Sequence, residues 1–77
     1  MDILVKKIIE IDNAVYRERQ GILYRYVIET IEKSLLEQVL ERTFGNQLKA
    51  AKILGINRNT LYTKIKKFGI DPNKWKI

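Results

Sequence analysis

The stretch from Ile22 to Phe44 contains neither glycine nor proline, and its apolar residues recur at helical spacing. Tyr24, Val27, Ile28, Ile31, Leu35 and Val39 fall along one side while Leu36 and Leu40 wrap toward another, so a helix here is apolar over more than one stripe. At 1.5 Å per residue, about 22 residues make a rod roughly 33 Å long. Upstream, Leu4, Ile8, Ile11 and Val15 are spaced four, three and four apart, with Val5, Ile9 and Tyr16 beside them. That pattern predicts an amphipathic first helix over about residues 2–18, and the polar Arg17–Gly21 segment predicts the turn that follows it. Downstream there is room only for two short helices, too short to cover the rod. Part of the first two helices is therefore expected to pack against a second copy of the chain.

With 77 residues, a single core supplies only a few kcal/mol of net stability, and small domains usually need further support. There is no cysteine and no histidine. Disulfides and thiolate metal sites are excluded, only carboxylates could hold a metal, and oligomerisation is the aid that remains. No metal or other cofactor is expected. Lys6, Lys7, Glu10 and Asp12 interrupt the first sixteen residues, so neither a membrane span nor a signal peptide fits, and a soluble, cytoplasmic chain is expected.

The net charge of +6 is unevenly spread. Residues 1–44 sum to −1, whereas residues 45–77 hold eight lysines and arginines against Asp71 alone, a net of +7. This is the footprint of a polyanion-binding module joined to a neutral scaffold, although a solvated basic tail would also produce it. The acids Glu29, Glu32, Glu37 and Glu41 are expected on a solvated helix face. No paired acid, nucleophile or phosphate loop is present, so neither catalysis nor a small-molecule substrate is expected.

Gly45 stands where a left-handed residue would end the long helix, and Asn46 can cap the next one, expected over about 47–54 with Leu48, Ala51 and Leu54 inward. The junction LGINRNTLY follows at 54–62. Gly55 supplies a positive-φ turn, Ile56 plugs the core, and Asn57 caps a fourth helix beginning Arg58, Asn59, Thr60, with Leu61, Ile65 and Phe68 facing inward. Two short helices joined by a brief glycine-containing turn form a helix-turn-helix. An ordinary helical hairpin is the plain alternative. Against it, the outer face of the fourth helix carries Arg58, Asn59, Tyr62, Thr63, Lys66 and Lys67 with no acid among them.

The run GNQLKAAKILGINRNTLYTKIKKFGI resembles the helix-turn-helix of the Fis family, and LLEQVLERTFGNQ before it resembles the end of that family's long second helix. The likeness covers about residues 22–70. It implies an all-α fold of four helices. The first two, within residues 1–44, would form a four-helix core with their copies in a homodimer, through Leu4, Ile8, Ile11, Val15, Tyr24, Val27, Ile28, Ile31 and Leu35. The helix-turn-helix would occupy 45–70 and a C-terminal turn 71–77 of a single domain. The resemblance further implies base contacts from Asn57 and Arg58 and DNA-backbone contacts from Asn46, Thr60, Lys66 and Lys67; Asn59 is expected beside the base contacts, and Gln47, Tyr62, Thr63 and Lys64 beside the backbone contacts. The partner would be duplex DNA with inverted-repeat half-sites, in the nucleoid. Where Leu48 stands the family often has a small hydroxyl residue, and where Tyr62 and Thr63 stand, basic ones. Family members occur as free-standing nucleoid proteins and as C-terminal domains of NtrC-like sigma-54-dependent activators. Because the first helix begins almost at Met1, with no extended polar arm ahead of it, the activator reading is favoured, as a domain binding inverted-repeat enhancer sites.

Several residues allow two readings. Asn57 is a helix cap, a base reader, or both; Tyr62 bonds a phosphate or packs on Lys66. Trp75 suggests base stacking, but Asp71-Pro72 reads as a cap and first helical residue, so a final turn pinning Trp75 to the domain is expected instead. A structural helical oligomer whose basic end binds an anionic membrane or an acidic protein is the alternative from another class.

Overall fold

The computed structural model describes residues 11–77, which are helical with no strand among them. Helix α1 spans Asn13–Glu18, α2 Leu23–Arg42, α3 Gln47–Leu54 and α4 Arg58–Lys67, and a 3-10 turn covers Pro72–Trp75. Expected interface residues Leu4 and Ile8 lie outside the described residues. The expected helix over 2–18 is not continuous: Ile11 and Asp12 are non-helical, and Asp12 is extended with φ −80° and ψ 168°. Its carboxylate accepts a hydrogen bond from the Val15 amide at 2.8 Å, so Asp12 caps the start of α1.

The chain forms two compact units, Met1–Ile31 and Glu32–Ile77, and the division falls within α2. In the first unit α1 buries no residue, and the Arg19 guanidinium lies 4.8 Å from the centre of the Tyr26 ring. Along α2, Tyr24, Ile28 and Leu35 remain exposed, Tyr24 to 82%.

The second unit holds the core. Leu36 and Leu40 of α2, Ala50 and Ala51 of α3, Leu61 and Ile65 of α4, and Ile70 are buried together, with Val39, Leu54, Ile56, Phe68 and Trp75 packed around them. Val39, placed by spacing on the same side of α2 as Tyr24 and Leu35, packs with Leu36 and Leu40 instead. The alanines let α3 and α4 approach closely. Leu48 is not inward as its apolar character suggests: it is 51% exposed. At 3.6 residues per turn, Leu54 lies between Ala50 and Ala51 on the helix circumference, and Leu48 is about 120° away from it.

The termini of α2, α3 and α4 close in the same way. At the end of α3 the Gly55 amide donates to the Lys52 carbonyl and the Ile56 amide to that of Ala51. This Schellman pairing drives Ile56 against the core and needs the positive φ of 73° that Gly55 adopts. Gly69 and Ile70 repeat the pattern on Lys66 and Ile65 after α4. At the end of α2 the left-handed C′ position belongs to Phe44, φ 54°, rather than to Gly45 as expected. The Phe44 amide bonds to Glu41 and that of Gly45 to Leu40. Beyond α4, the Asp71 carboxylate accepts from the Asn73 amide at 3.0 Å, and the turn brings Trp75 onto the core as expected.

Candidate nucleic-acid interface

Two asparagine caps set the geometry of the basic face. The Asn46 side-chain oxygen accepts from the Lys49 amide at 3.0 Å and begins α3; that of Asn57 accepts from the Asn59 amide at 2.7 Å and begins α4. Each satisfies one orphan amide of its helix start and leaves a side-chain NH2 that can still donate. The first turns of the two helices meet in an open depression of about 440 Å³ lined by Gln47, Leu48, Arg58, Asn59 and Tyr62. A guanidinium, two amides and a phenol ring thereby converge on one surface.

From this depression the exposed side of α4 continues through Thr63, Lys66 and Lys67. Lys66 Nζ stands 4.6 Å from the centre of the Tyr62 ring, a cation–π contact that orders both side chains. Lys67 Nζ lies 5.5 Å from the Phe68 ring. Asn57, Arg58, Asn59 and Thr60 are all exposed at the helix start, where the dipole favours anions. Asn46 and Gln47 occupy the equivalent place on α3.

Two of the expected backbone contacts have other partners. Lys64 is half-buried on the flank of α4 and forms an ion pair with Glu32 of α2. Glu32, expected on a solvated face, thus braces α4. The Thr63 hydroxyl donates to the Asn59 carbonyl at 3.0 Å, so its proton is committed to the helix. Conversely, Leu48 belongs to the site although its apolar character assigns it to the core. Its angular offset from Ala50, Ala51 and Leu54 was the available signal. Among the described residues no group of acidic or other side chains is arranged to hold a metal ion, and no helix is long and apolar enough to cross a membrane.

The family model for bacterial regulatory proteins of the Fis family matches residues 27–68. Over 49 residues the chain is 47% identical to the DNA-binding protein Fis of Aliivibrio fischeri (strain MJ11), covering 64% of this chain and 50% of that protein. Identity to the DNA-binding protein Fis of Proteus mirabilis (strain HI4320) is 47% over 49 residues, with the same coverage. It is 50% over 48 residues for that of Glaesserella parasuis serovar 5 (strain SH0165), covering 62% of this chain and 49% of that protein. The chain thus spans about half the length of the curated relatives it matches. No solved structure matches it.

Proposed function

We propose, from the premise that this chain belongs to the Fis family of bacterial regulatory proteins, that it binds duplex DNA in the nucleoid as a homodimer. The observation that carries the reading is the convergence of Gln47 and Leu48 of α3 with Arg58, Asn59 and Tyr62 of α4 on one basic surface without an acid. With side chains, a helix is about 10–12 Å across, and the major groove is about 12 Å wide. With α4 seated there, Arg58 would read guanine O6 and N7 bidentately, while the Asn57 and Asn59 amides reach neighbouring base edges. Asn46, Gln47, Thr60, Tyr62, Lys66 and Lys67 would contact the sugar-phosphate backbone, and the paired Lys64 would serve as a brace.

The sequence preference for an NtrC-like sigma-54 activator gives way here to the free-standing reading. The relatives compared above are Fis proteins, and this supports a DNA-bending protein of the nucleoid over an enhancer-binding domain. Two-fold symmetry would present two equivalent α4 helices to inverted-repeat half-sites.

Selection of binding sites from a random duplex pool, followed by titration of the recovered site and a scrambled duplex, tests the proposal. A symmetric site bound more tightly than its scramble is expected. Equal binding to both duplexes and to anionic vesicles would leave only a basic polyanion-binding surface.

A further inference from the structure

The depression between α3 and α4 has an apolar corner that phosphate contacts do not explain. Leu48, the second residue of α3, is 51% exposed and lines it together with Arg58, Asn59 and Tyr62. Tyr62, 50% exposed, carries the Lys66 ammonium over its ring. An aliphatic side chain and an aromatic ring therefore stand beside the guanidinium that would read a base. The Arg58 guanidinium lines the depression, the Lys66 ammonium stands over the Tyr62 ring, Lys49 is exposed next to Leu48 in sequence, and only Asp71 is acidic from residue 45 onward. That charge suits a polyanion and disfavours an apolar segment of another protein as the occupant.

In the major groove, one apolar group distinguishes a base: the C5 methyl of thymine. We infer that Leu48 is a specificity-determining residue, packing on the methyl of a thymine that neighbours the base pair contacted by Arg58. The inference rests on the DNA reading above. It gives the leucine a task that a phosphate-binding hydroxyl at the same place would not perform: its branched end has no hydrogen bond to offer a phosphate and gains only by meeting apolar surface.

The test uses the selected duplex with each thymine replaced singly by deoxyuridine, which keeps every hydrogen-bonding group of the base edge and lacks only the methyl. Wild type and Leu48→Ala are titrated on each duplex. At one thymine per half-site the replacement should weaken wild-type binding about fourfold, as expected for one methyl-sized group buried. Leu48→Ala should lose at least as much on the thymine duplex and nothing further on that deoxyuridine duplex. Losses that simply multiply at every position, or the lack of any methyl-sensitive position, overturn the assignment and leave Leu48 against sugar. A wild type that does not distinguish the selected duplex from its scramble overturns the DNA reading itself, and the inference with it. Because Leu48 is half-exposed and alanine favours the helix, thermal melts of the variant should match wild type. The wild-type deoxyuridine arm does not depend on the variant at all.

Discussion

Among the glycines, Gly45 is the one whose added Cβ would meet other atoms. Its φ of 80° is left-handed, and a Cβ there would overlap the Pro72 carbonyl oxygen, which belongs to backbone and cannot swing aside. Gly45→Ala should therefore displace the Pro72–Trp75 turn and cost about 1–3 kcal/mol of stability. Thermal unfolding measures the loss, and a red shift of Trp75 emission reports that the turn has lifted; an unshifted spectrum with unchanged melting would contradict the close approach. Arg58 and Lys66 differ in kind. If Arg58 reads guanine, Arg58→Ala costs about 1–3 kcal/mol per half-site on the selected duplex and much less on a scramble. Lys66→Ala weakens both about equally and lowers the slope of log K against log salt by about one per subunit. Titrations at several salt concentrations separate the two. Equal losses for Arg58→Ala on both duplexes would make it a phosphate clamp, and specificity would then come from Asn57, Asn59 or DNA shape.

At the scale of elements, the Glu32–Lys64 pair ties α2 to α4 with both side chains partly exposed. The coupling measured by a double-mutant cycle with Glu32→Gln and Lys64→Gln should be at most about 1 kcal/mol. Lys64→Ala should also leave the salt slope of DNA binding unchanged, in contrast to Lys66→Ala. A slope reduced by about one would return Lys64 to the phosphate-contacting set. What could be read from sequence divides along the same lines. Gly55, Ile56 and Asn57 were legible because cap and turn chemistry is local: each residue answers to backbone within five positions. The inward set Leu61, Ile65 and Phe68 was legible because α4 presents its apolar residues in one stripe. Leu48 was legible only through its angular offset from Ala50, Ala51 and Leu54, a weak signal in a helix of eight residues, and Glu32 was not legible, since the orientation of a helix toward its neighbours decides which face is covered. Phe44 was missed for another reason. Glycine is the usual left-handed terminator, and here the adjacent Gly45 is required by the approach of Pro72, leaving Phe44 to take the strained C′ position.

For the whole molecule, the decisive question is what covers α2. Leu36 and Leu40 are consumed by the core of the second unit, yet Tyr24, Ile28 and Leu35, spaced four and seven along the same helix, stay exposed at 82%, 44% and 50%. Such a stripe repeats at the helical period and has the composition of an interior rather than a surface. In an isolated chain, Leu35→Asp would put a charge into water and change stability little. In a homodimer that joins the α2 helices of two copies, the same substitution buries an unpaired carboxylate at the interface, where the cost is several kcal/mol and dissociation the outcome. Leu35→Asp should accordingly shift the molecule from dimer to a monomer of about half the mass, and Ile31→Asp should act in the same direction with more loss of helix. Sedimentation equilibrium reads the mass directly. Wild-type melting should also rise with protein concentration, because mass action stabilises an assembly and has no effect on a monomer. A wild type sedimenting near 9.1 kDa at tens of micromolar, with concentration-independent melting, would reject the dimer. It would also remove the two-fold argument for inverted repeats. In the dimer, two α4 helices at a fixed separation would grip one duplex. A separation shorter than one helical turn of DNA would require the duplex to bend toward the protein. Circular-permutation gel shifts should show that bend, and Leu35→Asp should abolish it together with the symmetric footprint while leaving weak, salt-sensitive binding by single helix-turn-helix units.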